Sequence, residues 1–180
     1  MLIEAGRSVL LVIDVQERLL PAMAEPRSVV DHCTLLAKAA ARLEVPALLS
    51  EQYPKGLGPT VPDLAALVPA ASIHPKLHFS CAADPGLSRR LSEIGRPQIV
   101  IAGIETHVCV LQTALGFHAR GFHCFVVADA TSSRTEANKS AGLARLRADG
   151  VEVVTAEMVV FEWLGQAGTP AFRDLARLIK

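Results

Sequence analysis

The sequence predicts an α/β fold: a doubly wound, mostly parallel six-stranded sheet with helices on both faces. Short runs of Val, Ile and Leu alternate along the 180 residues with segments whose apolar side chains recur at helical spacing, the pattern of βαβ units. Aromatic residues make up only 4% of the chain while aliphatic residues are abundant, as expected when strands are buried on both faces. Right-handed crossovers between such units lead us to predict the strand order 3-2-1-4-5-6.

The first half of the chain is predicted to contain three strands and the helices that connect them. In order, these are a strand over 8–14, a helix over 26–44, a strand over 45–50, a loop over 51–60, a short helical turn over 62–67, a weak strand over 72–76 and a helix over 84–94. The first helix carries a continuous apolar stripe, whereas the Pro and Gly residues of the predicted loop argue against regular structure there. Gly95 and Pro97 stop the helix that precedes the fourth strand.

The second half continues the alternation with three more strands. An apolar run over 98–102 is the fourth strand, Gly103 is expected to end it, and the helix that follows begins near Thr106. Further on we expect a strand over 122–128, a polar turn over 129–134, a helix over 135–149, a strand over 151–155, and helices over 156–164 and 170–179. We expect residues 1–180 to form one domain, since no boundary, repeat or low-complexity tract interrupts the pattern.

The charge balance favours a small-molecule partner. Lys and Arg together number 18, as do Asp and Glu, and the sequence has no basic stripe with interleaved aromatic residues. Proteins that bind nucleic acids usually concentrate positive charge in this way, so we expect no nucleic-acid partner. The apolar run over 9–13 has only the length of a strand and ends in Asp14, so we expect neither a signal segment nor a membrane span.

The four cysteines indicate a reduced, cytoplasmic protein. They lie at positions 33, 81, 109 and 124 and include no CxxC pair, so neither a zinc ribbon nor a redox dithiol is predicted. A chain of this length buries enough apolar surface without disulfides. Free cysteines are usually small buried hydrophobes, and Val108 and Val110 beside Cys109 suit that interpretation.

Three polar residues stand where predicted strands end. Asp14 follows the first strand, Lys76 ends the third, and Cys109 lies at the start of the helix after the fourth. In the predicted order the first and fourth strands are neighbours at the reversal point of the sheet, where open α/β sheets bind ligands. With Thr106 as the N-cap, Cys109 lies in the first helical turn, where free N–H groups and the helix dipole favour a thiolate. Taken singly, Asp14 suits a turn cap and Lys76 a solvated loop charge.

Together these residues suit nucleophilic catalysis. A thiol that attacks a carbonyl carbon needs a base for its proton, a cation that favours the thiolate, and hydrogen-bond donors for the oxyanion. Asp14 and Lys76 supply the first two, and the backbone N–H groups at the start of the helix can hold the oxyanion. The joint placement at strand ends therefore favours a functional site over three unrelated structural roles.

The segments over 14–16 and 103–109, with Lys76 between them, resemble the cysteine hydrolase superfamily that includes isochorismatases and nicotinamidases. The segment over 129–134 is similar to the one that follows the fifth strand in that family. The resemblance covers nearly the whole chain and implies the same fold. It also implies a general base at Asp14, thiolate support at Lys76 and a nucleophile at Cys109.

The resemblance carries further implications for the surroundings of the thiol. It implies a cis peptide bond between Ile104 and Glu105, and an oxyanion hole formed by the backbone N–H groups of Glu105 and Cys109. Candidates for the substrate pocket are Gln16, Tyr53, Phe79 and Thr106.

The sequence departs from the nicotinamidase pattern at the positions of its metal ligands. Nicotinamidases carry an Asp-x-His pair after the second strand, where this chain has Glu-Gln-Tyr over 51–53. The six histidines form no i, i+4 pair on a helix, because Pro75 interrupts His74 and His78. We therefore predict no metal and no other cofactor, which disfavours nicotinamide as the substrate. The segment over 51–58 resembles the isochorismatase-domain-containing branch.

Two functions from different classes fit these observations. The first is a metal-independent cysteine hydrolase of a small molecule, which cleaves an amide or related C–N bond through a covalent cysteine intermediate. The second is a catalytically inactive small-molecule-binding or assembly protein of the same fold. Nucleotide binding is disfavoured because no GxGxxG follows the first strand. The segment over 158–164 is more apolar than one small domain's last helix should expose, so we also expect a homo-oligomer.

Overall fold

Six strands form one fully parallel sheet in the computed structural model, which describes residues 1–179. The strands are β1 (Ser8–Ile13), β2 (Ala47–Gln52), β3 (Ile73–Lys76), β4 (Gln98–Ile104), β5 (His123–Ser132) and β6 (Glu152–Val154). Their order across the sheet is β3-β2-β1-β4-β5-β6, which confirms the predicted order. β1 and β4 therefore lie side by side at the reversal point of the sheet, with Ile13 paired to Gly103.

Helices connect the strands and cover both faces of the sheet. Over the described part of the chain they are α1 (Pro26–Arg42), α2 (Pro54–Leu57), α3 (Pro62–Ala65), α4 (Pro85–Ile94), α5 (Leu111–His118), α6 (Glu136–Ala148), α7 (Ala156–Leu164) and α8 (Pro170–Ala176). Asp84, Thr135, Thr155 and Thr169 cap the starts of four of them, each accepting a hydrogen bond from the backbone N–H three residues on. No helix within residues 1–179 combines the length and the apolar composition that crossing a bilayer requires.

The two faces of the sheet carry separate apolar cores, because successive side chains of a strand point to opposite faces. Leu10 and Val12 of β1 belong to the core that contains α1 and α7, including the buried Trp163. Leu11 points to the other face and belongs to the core formed with α4, α5 and α6, where Phe117 is buried. All six residues of β1 are buried, so the strand that leads to Asp14 is anchored from both sides.

Gly103 does not end β4, contrary to the expectation from sequence. β4 continues to Ile104, and Gly103 has a φ of 106°. A Cβ atom at this position would collide with the backbone of Ile13 on β1. Glycine is therefore required where β4 approaches β1, and the close approach brings the ends of the two central strands together.

Two further segments differ from the expectation. The polar stretch over 129–134 is not mainly a turn, because β5 runs on to Ser132 after an irregularity in its pairing with β4. The predicted loop over 51–60 contains the last two residues of β2 and the short helix α2. Pairing with neighbouring strands thus lengthens β2 and β5 beyond their apolar runs, which local sequence preference does not reveal.

Candidate active site

Three strand ends bring the three candidate residues to the carboxyl edge of the sheet. Asp14 directly follows β1, Lys76 is the last residue of β3, and Cys109 lies in a π-helical turn (Thr106–Val110) that follows β4. Lys76 reaches across β2, and its Nζ lies 2.7 Å from Oδ2 of Asp14. Both of these side chains are completely shielded from solvent. The edge therefore holds a buried ion pair beside the turn that carries the thiol.

The Asp14 carboxylate is held on both oxygens. Ser50 Oγ donates to Oδ1 at 2.7 Å, while Lys76 Nζ donates to Oδ2. Asp14 has a positive φ of 54°, and its N–H donates to the Ser50 carbonyl at 3.1 Å. Non-glycine residues in this backbone region are uncommon and cluster at functional sites. Ser50 of β2 is thus a support of the carboxylate that sequence reasoning did not identify.

The Lys76 ammonium has a second acceptor, Gln52, which sequence reasoning also missed. Oε1 of Gln52 accepts from Nζ at 2.6 Å, and Nε2 of Gln52 donates to the Leu77 carbonyl at 2.9 Å. A buried charge is stable only when it is paired and hydrogen-bonded, and Lys76 meets both conditions. The sequence predicts that the second strand ends at Ser50, so Gln52 falls in the predicted loop; only the observed extent of β2 places it at the same edge as Asp14 and Lys76.

The Cys109 thiol is buried, and its surroundings raise its pKa. Only 5% of the residue is exposed. Burial raises the pKa of the thiol above its ordinary value, the negative charge of Asp14 raises it further, and the Lys76 ammonium lowers it. The Asp14 carboxylate lies close enough to the thiol to raise its pKa as a proton acceptor as well, which favours the protonated form. Burial and the carboxylate thus oppose the thiolate expected at the helix start, while the lysine favours it.

The turn that carries Cys109 differs from the predicted capped helix. Glu105 occupies the cap position, and Thr106 lies inside the turn. The Thr106 hydroxyl is buried and has no hydrogen-bond partner among the described residues, so it does not cap the helix. The Ile104–Glu105 peptide bond is cis, as predicted. Within residues 1–179 the Glu105 N–H has no hydrogen-bond acceptor, which leaves it free for a ligand.

The segment before the thiol is anchored to the end of β5. Arg134 donates to Oε2 of Glu105 through Nε at 3.0 Å and through its backbone N–H at 3.2 Å. His107 Nδ1 lies 3.0 Å from Ser133 Oγ, and α6 approaches the His107 backbone closely at Gly142. These contacts fix the backbone that leads into the turn.

The four residues predicted to line a substrate pocket have different surroundings. Gln16 is completely buried, and the oxygen and both N–H groups of its side-chain amide make hydrogen bonds. Thr106 is completely buried, whereas Tyr53 and Phe79 are 52% and 53% exposed. A cavity of about 260 Å³ is lined by Lys76 together with Pro54, Pro75, Leu77, His78 and Asp84. This cavity borders residues adjacent in sequence to Tyr53 and Phe79, and its lining includes neither Gln16 nor Thr106.

The segment that stands in place of the nicotinamidase metal ligands makes other contacts. Oε1 of Glu51 accepts from the backbone N–H of Thr60 at 2.6 Å and from its hydroxyl at 2.8 Å. In the part of the chain that the structure describes, no group of three or more His, Cys, Asp or Glu side chains is arranged to hold a metal ion. At this part of the edge the Glu51 carboxylate is already hydrogen-bonded to Thr60, and the neighbouring Tyr53 is half-exposed.

A second buried cysteine, Cys81, lies in the electrostatic field of the same ion pair. Burial raises its pKa to about 11, while Lys76 lowers it and Asp14 raises it. Burial also raises the pKa of Cys33 and of Cys124, each to about 12. All four cysteines are free thiols. Cys81 is therefore an internal control for the reactivity of the thiol in the turn.

Comparison with known proteins identifies the family. A family model described as the isochorismatase domain matches residues 8–158. The chain belongs to the isochorismatase domain family. The matched range contains the three residues gathered at the sheet edge, and the family is the one that the sequence motifs predicted.

Relatives of the isochorismatase domain family support this assignment. Isochorismatase domain-containing protein 2A from Mus musculus is 38% identical over 176 residues, which cover 96% of this chain and 82% of the relative. The structure of MAR1 ribonuclease from Caenorhabditis elegans has a TM-score of 0.93 at 32% identity, covering 99% of this chain and 92% of that chain. The YcaC gene product from Escherichia coli, described as an octameric hydrolase of unknown specificity, has a TM-score of 0.93 at 24% identity and covers 99% and 90%. This last likeness establishes the fold alone.

Proposed function

We propose that this isochorismatase-domain protein is a metal-independent cysteine hydrolase of a small molecule, which cleaves an amide or related C–N bond through a covalent cysteine intermediate. The observation that carries the proposal is the placement of Asp14, Lys76 and Cys109 together at the carboxyl edge of the sheet. The buried carboxylate and the buried ammonium lie 2.7 Å apart, and the charges of both act on the pKa of the nearby thiol. A nucleophile, a base and a cation in one water-shielded place are what nucleophilic acyl transfer requires.

In the first step Asp14 acts as the general base. Its carboxylate takes the thiol proton as the Cys109 sulfur attacks the carbonyl carbon, and a C–S bond forms. The Lys76 ammonium stabilises the negative charge on sulfur as the proton leaves. The carbonyl oxygen becomes an oxyanion and accepts hydrogen bonds from the backbone N–H groups of Glu105 and Cys109. When the C–N bond breaks, Asp14 gives the proton to the nitrogen and an amine leaves.

In the second step water releases the acyl group. Asp14, ionised again, takes a proton from a water molecule that attacks the thioester carbon. The C–S bond breaks, the carboxylic acid product leaves, and the proton on Asp14 returns to the Cys109 sulfur. The resting thiol with its raised pKa is regenerated, so the cycle consumes only substrate and water.

The burial of Cys109 also favours a second function, that of a catalytically inactive small-molecule-binding or assembly protein. A thiol that is 5% exposed and has a raised pKa is a weak nucleophile until a base removes its proton. The two functions differ in one measurable property. In a hydrolase Asp14 and Lys76 change the reactivity of Cys109, whereas in an inactive protein Cys109 reacts no faster than Cys81 or Cys124.

The test is the rate at which iodoacetamide alkylates Cys109 as a function of pH, read by peptide mass spectrometry in wild type, Asp14→Asn and Lys76→Ala. We expect Asp14→Asn to shift the profile to lower pH, because the negative charge that raises the pKa of the thiol is gone. The same variant should lose turnover, because it lacks the base. Lys76→Ala should shift the profile to higher pH. Three profiles that coincide with that of Cys124, whose pKa is raised by burial alone, would contradict the proposal and favour the inactive protein.

A substrate panel of small amides, esters and vinyl ethers, read by intact mass, tests which bond is cleaved. A mass increase equal to the acyl group, present in wild type and absent in Cys109→Ala, reports the nucleophile and the substrate together. RNA belongs in the panel because the C. elegans relative is described as a ribonuclease. Cleavage of RNA by wild type and not by Cys109→Ala would contradict the small-molecule proposal, which rests on the equal numbers of acidic and basic residues.

Metal independence is tested with chelators. We expect turnover of a panel substrate to be unchanged after EDTA treatment, because Glu51 is already bonded to Thr60 and residues 1–179 offer no cluster of metal ligands. Metal content is measured in parallel by mass spectrometry on protein purified without added metal. Stoichiometric zinc or iron that is lost together with activity would contradict this part of the proposal.

We further propose that the protein is a homo-oligomer that associates through α7. Val159, Val160 and Trp163 are buried in the core, so this segment is less exposed than its sequence suggests, but Met158 and Phe161 remain 46% and 44% exposed. The octameric state described for E. coli YcaC supports assembly of this fold. Sedimentation should show an oligomer at micromolar concentration that Phe161→Glu dissociates, whereas a monomeric wild type would contradict the proposal.

A further inference from the structure

A chain of buried hydrogen bonds leads from a loop to the Lys76 ammonium. Oε1 of Gln52 accepts from Lys76 Nζ at 2.6 Å. The backbone of Gln52 is clamped by the Gln16 side chain, which accepts from the Gln52 N–H at 2.8 Å and donates to the Gln52 carbonyl at 3.0 Å. The other N–H of the Gln16 amide donates to the Gly58 carbonyl at 2.7 Å. Both glutamines are buried, so their geometry is defined by the protein and not by solvent.

We propose that Gln52 is a positioning residue for Lys76. The inference rests on the proposed hydrolase function, in which Lys76 supports the negative charge that forms on the Cys109 sulfur. An ammonium has three N–H donors. One of them donates to Asp14 at 2.7 Å and a second donates to Gln52 at 2.6 Å. The third N–H therefore points away from both acceptors and is available to the thiolate.

The neutral amide of Gln52 suits this task better than either a charged or an apolar side chain. A carboxylate would add a second negative charge beside Lys76 and so oppose formation of a thiolate on Cys109. An apolar side chain would leave a buried N–H of the ammonium without an acceptor, which disfavours the charged lysine and lets the side chain move. The amide supplies an acceptor without adding a charge.

The experiment measures the pH profile of Cys109 alkylation by iodoacetamide in wild type, Gln52→Met and Gln52→Glu, with turnover of a panel substrate alongside. Gln98→Met is the control, because Gln98 is also buried but lies at the opposite, amino end of the sheet. We expect Gln52→Met to lower the alkylation rate at pH 8 by about tenfold, the change that one pKa unit produces. Gln52→Glu should shift the profile further toward high pH, and Gln98→Met should not shift it.

The outcomes separate this inference from the proposed function. If wild-type Cys109 reacts no faster than Cys81, the hydrolase proposal itself fails. If Cys109 is reactive but Gln52→Met lowers only the melting temperature, leaving the profile unchanged or moving it to lower pH, Gln52 has a structural role and the inference is overturned. If Gln52→Met does not fold, the alkylation profile of Gln52→Glu is used instead, because this variant keeps the size of the side chain and its acceptor oxygen. A Gln52→Glu profile identical to that of wild type overturns the inference.

Discussion

The two ends of the parallel sheet both contain buried polar groups, and at the amino end Gln98 and Trp163 satisfy theirs with neutral partners. Gln98, at the start of β4, accepts from the Glu4 N–H at 2.8 Å and donates to the Leu2 carbonyl at 2.9 Å. Trp163 Nε1 donates to Ser8 Oγ at 3.1 Å. These bonds tie the first residues of the chain and α7 to the sheet, and each buried donor finds an acceptor at little electrostatic cost.

The carboxyl end instead buries two opposite charges. Asp14 and Lys76 are both shielded from solvent, and neither charge is needed to complete a strand or a core. Burying an ion pair costs desolvation free energy that its attraction barely offsets, so such a pair is weak evidence for stability. The proposed function accounts for this difference: the amino end is organised for stability, and the carboxyl end would keep its charges for chemistry on Cys109.

The largest contrast between the two ends is expected in turnover after removal of a thiol. Cys109→Ala should lower turnover by more than about 10³-fold, because it removes the nucleophile of a group that acts as a unit. Cys124→Ala, at the amino end of β5, removes an equally small buried sulfur and should leave turnover within about twofold. Both are measured with a panel substrate, alongside circular dichroism to confirm folding. Equal loss in the two variants would remove the functional difference between the ends.

The next largest effect concerns the charges themselves. Lys76→Met leaves the Asp14 carboxylate buried without its partner and should lower the free energy of unfolding by about 3–5 kcal/mol. Adding Asp14→Asn to that variant should recover part of the loss, because no uncompensated charge remains. Urea denaturation of both variants and of wild type measures these values. If the double variant is no more stable than Lys76→Met, the loss of stability comes from packing and not from the unpaired charge.

A third expectation concerns alkaline pH, where both ends should respond alike. Burial raises the pKa of Cys81 to about 11 and that of Cys124 to about 12, from an ordinary value of 9.0. Above pH 9 the unfolded chain therefore ionises thiols that stay protonated in the fold, and the free energy of unfolding falls with rising pH. Between its unfolded and folded pKa values, each thiol lowers the free energy of unfolding by about 1.4 kcal/mol per pH unit.

Cys124→Ala isolates the share of one thiol in this alkaline effect. The variant should reduce the slope of unfolding free energy against pH by about 1.4 kcal/mol per unit between pH 9 and 11. Urea denaturation at several pH values measures the slope. A slope identical to that of wild type would mean that Cys124 ionises equally in the folded and unfolded states.

The smallest expected effect lies at the amino end. Trp163→Phe removes the hydrogen bond to Ser8 but keeps most of the apolar volume in the core, and it should lower the free energy of unfolding by about 1–2 kcal/mol. Turnover should not change, since Trp163 lies at the end of the sheet remote from Cys109. The measurements are urea denaturation and the panel assay. A loss of turnover comparable to that of Cys109→Ala would show that the two ends are coupled.

The sequence by itself was sufficient to predict the strand order and the placement of Asp14, Lys76 and Cys109 at one edge. Both follow from local periodicity and from the handedness of βαβ connections, which need no knowledge of side-chain contacts. The cis bond before Glu105 came from the resemblance of the segment over 103–109 to a known family, and the structure contains it.

Only the tertiary structure decided the direction in which the pKa of the thiol shifts and the partners of the lysine. The pKa of Cys109 depends on burial and on the distance to Asp14, neither of which the helix-start pattern contains. Gln52 and Asp14 are separated from Lys76 by 24 and 62 residues, so their contacts arise only when β1, β2 and β3 are side by side. Likewise, the sequence around Gly103 predicts the end of a strand, whereas the structure shows that glycine is needed there because the backbone of Ile13 lies against it. Such a close approach depends on two segments and is not encoded in either one alone.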